Sequence, residues 1–465
     1  MKQLSQVVQF DADLLHKYNQ PLPRYTSYPP ATELTPDFDA NQFRSAITKG
    51  NWQNTPLSLY AHIPFCETPC YFCGCNTIIT QRKEVVDPYL GYIARHIQQV
   101  ANLVSQERRV NQMHWGGGTP NYLSQNQVEF LWEQFQKQFN FEPTAEISIE
   151  INPRYVDRNY ILFLRQLGFN RISFGIQDFD SQVQEAVNRV QPEEMLFNVM
   201  SWIREANFES VNVDLIYGLP FQTAATFRQT IEKTLQLDPD RIAVFNFAYV
   251  PWLKPIQKRM PESEFPNAAA KLEILQQTIA QLTDGGYVFI GMDHFAKPND
   301  ELTIAQQAGE LHRNFQGYTT KPESDLLGFG MTSISMLQNV YVQNHKRLKD
   351  FYHAIDNYDL PLERGVQLTE DDMIRRTVIM ELMCQFQLSV PDLEPKYHLG
   401  RELDFNDYFA DALLKLDALE ADGLLKRWGD GIEVSAIGRL LIRNIAAVFD
   451  AYLGERKAET FSKSI

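Results

Sequence analysis

The chain of 465 residues is long enough for two or three domains, and an apolar content of 44% supplies a sizeable core. Its 43 Lys and Arg against 58 Asp and Glu leave a formal charge of −15, which argues against nucleic acid or another polyanion as the main ligand. The longest apolar runs, such as 242–250, are strand-sized, so no segment spans a bilayer; the start Met1-Lys2-Gln3 lacks the apolar core of a secretory signal, and the cytoplasm is the expected location.

Residues 1–56 carry the stretch Pro23-Arg24-Tyr25-Thr26-Ser27-Tyr28-Pro29, which suits an extended arm more than a helix. From residue 57 onward, short β-rich runs recur at 57–63, 113–115, 146–151, 171–177, 211–217 and 241–247. Amphipathic helical patterns separate them. At 124–139, Ser124 is placed as N-cap, and Val128, Phe130, Leu131, Phe135 and Phe139 are read as the apolar stripe. Strand–helix alternation implies parallel strands with right-handed crossovers, hence an α/β fold built on an incomplete (β/α)6 barrel. Strands buried on both faces tolerate few polar residues, so polar groups are expected where strands stop. Those stops carry a cysteine loop, then 116–119, Glu150 with Asn152, Gln177, Asp214 and Ala248, and in such a barrel they open onto one face.

Beyond about 355 the pattern reads as helical, with Thr369 and Asp372 forming a capping box before 373–386. Residues 406–452 read as helix, short hairpin over 424–434 with its turn at Asp430-Gly431, and helix. That order fits a winged helix or a small packing domain, and the acidic charge favours the latter. The expected division is an arm (1–56), a barrel with its extension (57–355) and a mainly helical C-terminal domain (356–465).

Four of the five cysteines, Cys66, Cys70, Cys73 and Cys75, fall within one ten-residue window, whereas Cys384 stands alone in an apolar helix as a small buried hydrophobe. Clustering of this kind points to metal or redox chemistry rather than a disulfide framework. Cys66, Cys70 and Cys73 supply three soft thiolates on a compact loop, enough to hold a 4Fe-4S cluster with one iron open. Zinc, with Cys75 or His62 as fourth ligand, is the rival, although structural zinc sites usually pair two short units far apart in sequence. An open iron can bind the amino and carboxylate groups of S-adenosylmethionine and pass an electron to its sulfonium. Tyr60 and Phe72 are placed to line that pocket or to serve as core aromatics. Gly116-Gly117-Gly118-Thr119-Pro120 lets backbone approach a ligand, and Glu150 is either an acceptor for an ammonium or ribose hydroxyl or a solvated loop carboxylate.

These residues resemble those of one family, the radical S-adenosylmethionine enzymes, and within it the oxygen-independent coproporphyrinogen III oxidases. The resemblance spans essentially the whole chain. It rests on Tyr60-Ala61-His62-Ile63-Pro64-Phe65-Cys66, Cys70-Tyr71-Phe72-Cys73-Gly74-Cys75-Asn76, His114-Trp115-Gly116-Gly117-Gly118-Thr119-Pro120, Gly175-Ile176-Gln177-Asp178-Phe179, Asp214-Leu215-Ile216-Tyr217-Gly218-Leu219-Pro220, Gly291-Met292-Asp293-His294-Phe295-Ala296 and His312-Arg313-Asn314-Phe315-Gln316-Gly317-Tyr318. It implies two molecules of S-adenosylmethionine: one contacting Tyr60, Phe72, Gly117, Glu150 and Ile334, the other Gly118, Thr119, Gln177, Arg189, Asp214 and Ala248. Without it, Arg189 would be read as a surface salt bridge. Cys66, Cys70, Cys73, Tyr60 and Glu150 become the expected catalytic set, with the three cysteines as metal ligands. The implied reaction turns the propionates of rings A and B of coproporphyrinogen III into vinyl groups, giving protoporphyrinogen IX. Four propionates call for local cations, and Arg24, Arg313 and Lys254 are the candidates. A reductant such as flavodoxin or ferredoxin is implied, together with a monomeric state.

Three rivals stand beside this expectation: a haem-transfer protein of the same superfamily, a radical methyltransferase, and a zinc-bearing binding protein. Cys75 and the intact 24–29 arm speak against the first, and the His312–Thr320 stretch with that arm speaks against the second. A brown, oxygen-sensitive protein would exclude the third. Cys75 itself is not placed among the ligands, because a fourth thiol two residues beyond the third is awkwardly sited.

Overall fold

The computed structural model describes residues 8–322, 324–397, 404–429 and 431–453. The chain start Met1-Lys2-Gln3 and Asp430 of the expected hairpin turn lie outside them. The chain folds as two compact units, each assembled from separated stretches: Leu34–Asn267 with Glu323–Gln367, and Met1–Glu33 with Ala268–Pro322 and Leu368–Ile465.

The first unit is built on the six expected strands, β1 (Leu57–Ile63), β2 (Arg109–Gly117), β3 (Asn140–Ile151), β4 (Arg171–Gln177), β5 (Ser210–Tyr217) and β6 (Arg241–Asn246). Each is parallel to the next. A strand not foreseen, β7 (Asp325–Phe329), adds to the free side of β1, also in parallel. Three antiparallel strands extend it: β8 (Ile334–Leu337), β9 (Val340–Asn344) and β10 (Leu362–Gln367). Residues 362–367 are thus strand, where the pattern beyond 355 reads as helical.

Outward side chains of the strands are apolar and fully buried, as with Leu59, Ala61, Trp115, Ile149 and Val213. The inner face departs from expectation, since polar residues run along whole strands and not only at their ends. They satisfy one another: Ser58 donates to Gln112 (3.0 Å), Gln112 to Glu146 (2.8 Å), and Arg171 pairs with Glu146 (2.7 Å). Side chains alternate by two along a strand, so an apolar outer row and a hydrogen-bonded inner row coexist. At the start of β7, Asp325 forms an ion pair with Arg108 at 2.5 Å, both side chains essentially inaccessible.

Helix Gln125–Gln138 begins at Ser124, which forms a capping box with Gln127. Val128, Leu131, Trp132 and Phe135 face the core, but Phe130 is exposed. Two residues beyond Val128 is 200° around the helix, so Trp132 takes the position assigned to Phe130.

In the second unit, Thr369 and Asp372 form the expected capping box on helix Glu370–Gln385, and Cys384 is buried in it. Strands Leu425–Trp428 and Gly431–Val434 make the expected hairpin, and a strand not foreseen, Gln387–Ser389, pairs with the latter. The aromatic arm is extended and buried here: Asn444 donates to the Tyr18 carbonyl (2.8 Å), Tyr25 to Asp450 (3.0 Å), and the Ala451 N–H to Tyr28 (3.0 Å). Among the described residues no helix is long and apolar enough to cross a membrane.

Candidate functional site

Every residue singled out for cluster or S-adenosylmethionine binding lies in the first unit: Gly117, Glu150 and Gln177 at the C-terminal ends of parallel strands, the cysteine loop, Thr119, Arg189 and Ala248 beyond such ends, and Tyr60 and Asp214 in mid-strand on β1 and β5, deeper than the expected strand stops. Residues 64–80 leave the end of β1 as the cysteine loop. Its root is pinned where Phe65–Cys66 pairs with Ile78–Ile79. The Ile78 N–H donates to Pro64 O at 2.7 Å and the Thr80 N–H to Cys66 O at 2.9 Å. Its middle is gripped by three consecutive residues after helix Ser181–Ala186. Val187 O accepts from Tyr71 N (3.0 Å), Asn188 donates to Pro69 O (2.7 Å), and Arg189 Nη1 lies 3.5 Å from Cys70 Sγ. Phe72 and Tyr71 pack on a core of Val183, Val187, Leu219, Phe247 and Met260.

The glycine run serves this root. An added Cβ on Gly117, whose φ is +112°, would lie 2.5 Å from the His62 ring, and one on Gly118 would lie 2.7 Å from Pro64 backbone. His62 is fixed at both ring nitrogens, to Tyr60 Oη (3.0 Å) and Asn76 O (3.2 Å). Tyr60 stacks on His114, whose Nδ1 meets Ser148 (2.7 Å) and whose Nε2 meets Glu150 (3.1 Å). Tyr60, Gly117 and Glu150 are therefore one constellation. Ile334 joins it indirectly, because Gly328 pairs with Tyr60 and a Cβ there would touch the Ile334 carbonyl at 2.7 Å.

The residues assigned to the second nucleotide form a neighbouring group. Thr119 contacts Cys66 Sγ at 3.3 Å. Arg189 is no surface salt bridge: it is 9% exposed, and its other nitrogens donate to Gly175 O (2.9 Å) and Gln191 Oε1 (3.1 Å). Gln177, with φ +70°, folds over Gly175, and its buried Oε1 has no hydrogen-bond partner. Asp214 is held by Asn212 (2.8 Å), which also reaches Ser173 (2.9 Å). Gln257 ties Ala248 O (3.2 Å) to Phe72 O (3.4 Å).

Electrostatics separate the two carboxylates. Burial pushes Glu150 up, but the His114 hydrogen bond and charge and the Gly117 N–H outweigh it and hold the group below its ordinary value. Glu150 keeps 47% of its side chain accessible while protein surrounds it, as befits a group lining a concave mouth. Asp214 is pushed up to about 7, first by burial and then by the charge of Glu150, against Asn212 and Arg189. Burial raises the Cys66 thiol to about 11, and a hydrogen bond from Cys75 lowers Cys73 to about 6. Cys75 keeps solvent access as a residue, while that same contact, and then the protein packed around its sulfur, raise its thiol well above the ordinary value.

Of the basic candidates, Lys254 donates to Cys75 O at 2.9 Å, so it is engaged by the cysteine loop. In the second unit Arg24 pairs with Asp293, and Arg313 is buried over the Tyr318 ring at 4.6 Å. Sequence reasoning missed three residues that position the site. Arg154 and Gln191 carry no motif of their own; His62 sits inside the Tyr60–Cys66 motif, where its spacing suggests only a zinc ligand.

The donor set fits an iron–sulfur cluster. Cys66, Cys70 and Cys73 are free thiols, part-buried on one loop, and the neighbours of their sulfurs are hydroxyl, thiol and guanidinium donors, the hydrogen-bonding surroundings that suit thiolate-ligated cluster sulfurs. Both nitrogens of His62 are engaged elsewhere, which removes it as a fourth zinc ligand. Among the described residues the side chains are not drawn into a closed ligand shell, so the fit rests on donor chemistry.

Comparison with known proteins agrees. Residues 60–234 match the Radical SAM superfamily and residues 368–441 the HemN C-terminal domain. The chain is 69% identical over 459 residues to the oxygen-independent coproporphyrinogen III oxidase of Synechocystis sp., covering 98% of both chains. It is 47% identical to that of Escherichia coli strain K12, covering 99% of both. The solved structure of coproporphyrinogen III oxidase (HemN) from Escherichia coli, described as a radical SAM enzyme, superposes with a TM-score of 0.91 at 46% identity, over 96% of this chain and all of that one. The chain belongs to the oxygen-independent coproporphyrinogen III oxidases of the radical SAM superfamily.

Proposed function

We propose that this chain converts coproporphyrinogen III to protoporphyrinogen IX without oxygen, removing the carboxyl groups of two propionates and leaving vinyl groups. The observation that carries the proposal is the cysteine loop set at the mouth of the parallel strands in a chain of this family. When bound there, a 4Fe-4S cluster and S-adenosylmethionine would supply a 5′-deoxyadenosyl radical able to take a hydrogen atom from the propionate β-carbon; loss of carbon dioxide, with one electron passing to an external one-electron acceptor, would leave the vinyl group.

The chain's residues hold and orient. Cys66, Cys70 and Cys73 are the metal ligands, and Cys75 steadies Cys73. Tyr60, Phe72, Gly117, Glu150 and Ile334 hold the nucleotide on the metal, with Glu150, ionised at neutral pH, as acceptor for its ammonium or ribose. Gly118, Thr119, Gln177, Arg189, Asp214 and Ala248 hold a second molecule. The orphaned Gln177 Oε1 is free to accept from it, and the buried Arg189 guanidinium suits its carboxylate. Asp214, poised near neutrality, can hold or release a proton at its carboxyl oxygen. A low-potential flavodoxin or ferredoxin supplies the electron, and the protein works as a cytoplasmic monomer.

The test is anaerobic incubation of the reconstituted, reduced protein with S-adenosylmethionine and coproporphyrinogen III, following 5′-deoxyadenosine, carbon dioxide and protoporphyrinogen IX together. All three are expected. Deoxyadenosine without porphyrin product would replace this reading by another radical function.

A further inference from the structure

Two guanidinium groups approach one sulfur of the loop. Arg189 Nη1 stands 3.5 Å from Cys70 Sγ and Arg154 Nη2 3.8 Å from it. Among the described residues, the hydrogen-bonding neighbour of the Cys66 sulfur is the Thr119 hydroxyl and that of the Cys73 sulfur the Cys75 thiol, with no guanidinium in hydrogen-bonding range of either. Arg154 lies in the turn Pro153–Tyr155 that follows β3, and its aim is built in. Its Nε and its backbone N–H both donate to Asn152 Oδ1, each at 3.2 Å. The Asn152 N–H donates in turn to Asn121 Oδ1 (2.7 Å), while Asn121 Nδ2 donates to Asn152 O (3.0 Å) and Tyr155 O (3.2 Å). Asn121 and Asn152 are 5% and 7% exposed, so this relay is a fixed part of the core. The guanidinium also lies 5.3 Å from the Tyr155 ring centroid, and Tyr155 Oη meets Thr68 at 3.3 Å, a second grip on the same loop.

We propose that Arg154, held by the Asn121–Asn152 relay, is a positioning and charge-setting residue for the Cys70 thiolate, and that it makes the metal centre on this loop easier to reduce. The inference rests on the reading that Cys66, Cys70 and Cys73 hold a 4Fe-4S cluster. Reduction adds one electron, donated by an external one-electron reductant, to a centre already negative through its thiolates. A cation against one sulfur stabilises the more negative state, as do hydrogen bonds to cluster sulfurs. Arg189 is shared with the nucleotide site and Gln191, whereas the side-chain contacts of Arg154 are Asn152, Tyr155 and the Cys70 sulfur. A guanidinium committed in that way acts on the metal ligand.

The test compares wild type, Arg154→Gln and Arg154→Lys, each full-length and anaerobically reconstituted without S-adenosylmethionine. Iron and sulfide are assayed, and the reduced signal is titrated by EPR against dithionite with mediators. Arg154→Gln is expected to keep its iron and sulfide and to be at least tenfold harder to reduce, about 59 mV lower for a one-electron couple. Arg154→Lys, which keeps the charge, is expected to stay within about twofold of wild type, on the same scale. Loss of cluster in Arg154→Gln with retention in Arg154→Lys also supports the proposal, because the charge then holds the thiolate. A fully loaded Arg154→Gln with the wild-type potential overturns it, as does equal loss of cluster in both variants, which would make the role one of packing. A wild type that binds no cluster at all overturns the underlying reading instead.

Discussion

Gln191→Leu tests whether the site depends on a residue that touches no ligand. Gln191 is 1% exposed. Its Oε1 accepts from Arg189 Nε (3.1 Å), and its Nε2 donates to Ile176 O (2.8 Å) and Gly175 O (3.2 Å). Leucine fills much of the same volume but makes none of these bonds. The two carbonyls each keep another donor, Asp178 N for Ile176 and Arg189 Nη2 for Gly175, so each loss costs about 1 kcal/mol. Arg189 Nε keeps none and remains buried, at about 1–3 kcal/mol. The fold should therefore lose roughly 3–5 kcal/mol, read as a lower melting temperature. The guanidinium also loses the contact that fixes its plane, so affinity for S-adenosylmethionine should fall about tenfold, or ~1.4 kcal/mol. Equilibrium dialysis of the anaerobic protein measures that affinity in Gln191→Leu, Arg189→Met and the double variant. If Gln191 acts through Arg189, the double variant binds no worse than Arg189→Met alone. Additive losses, or wild-type affinity in Gln191→Leu, would refute the reasoning.

Asp325→Leu strands the buried Arg108 guanidinium and should cost about 3–5 kcal/mol, seen as earlier thermal unfolding; an unchanged transition would deny the pair any structural weight. Burial raises Asp178 from 3.8 to about 6 against hydrogen bonds from Asp180 N, Thr230 and Gln222, so the native state binds its proton more tightly than the unfolded state does. The stability this contributes is full below about pH 4 and lost as pH rises through about 6, on the order of 3 kcal/mol in all. Wild type should therefore lose ground to Asp178→Asn between about pH 4 and 7 and run parallel to it above; parallel curves throughout would mean that Asp178 stays ionised in the fold. Gly117→Ala, with its positive φ and a Cβ 2.5 Å from His62, should cost about 2–4 kcal/mol and reduce reconstituted iron, and full iron content would show that His62 can yield.

What could be read from sequence was local. The loop cysteines, the polar residues ending β3 and β4, and the caps at Ser124 and Thr369 announce themselves within a few residues, and the structure places them as expected, whereas Asp214, expected at a strand stop, sits in the middle of β5. Pairings across long separations leave no such trace. β7 joins β1 from more than 260 residues away, and Tyr25 finds Asp450 at a separation of 425. The polar inner face was hidden because Ser58, Gln112, Ser148 and Asn212 look like interruptions of apolar strands until the sheet curves and lets them meet. Arg189 and Arg154 became meaningful only when the fold brought both to one sulfur.

The central claim is that Cys66, Cys70 and Cys73 hold a cluster with one iron open to S-adenosylmethionine. EPR of the dithionite-reduced, reconstituted protein with and without S-adenosylmethionine tests it directly. The account predicts a 4Fe-4S signal in wild type whose shape changes when S-adenosylmethionine is added, and neither signal nor change in Cys70→Ser. A wild-type signal indifferent to S-adenosylmethionine, or a Cys70→Ser protein that keeps the full response, would contradict it.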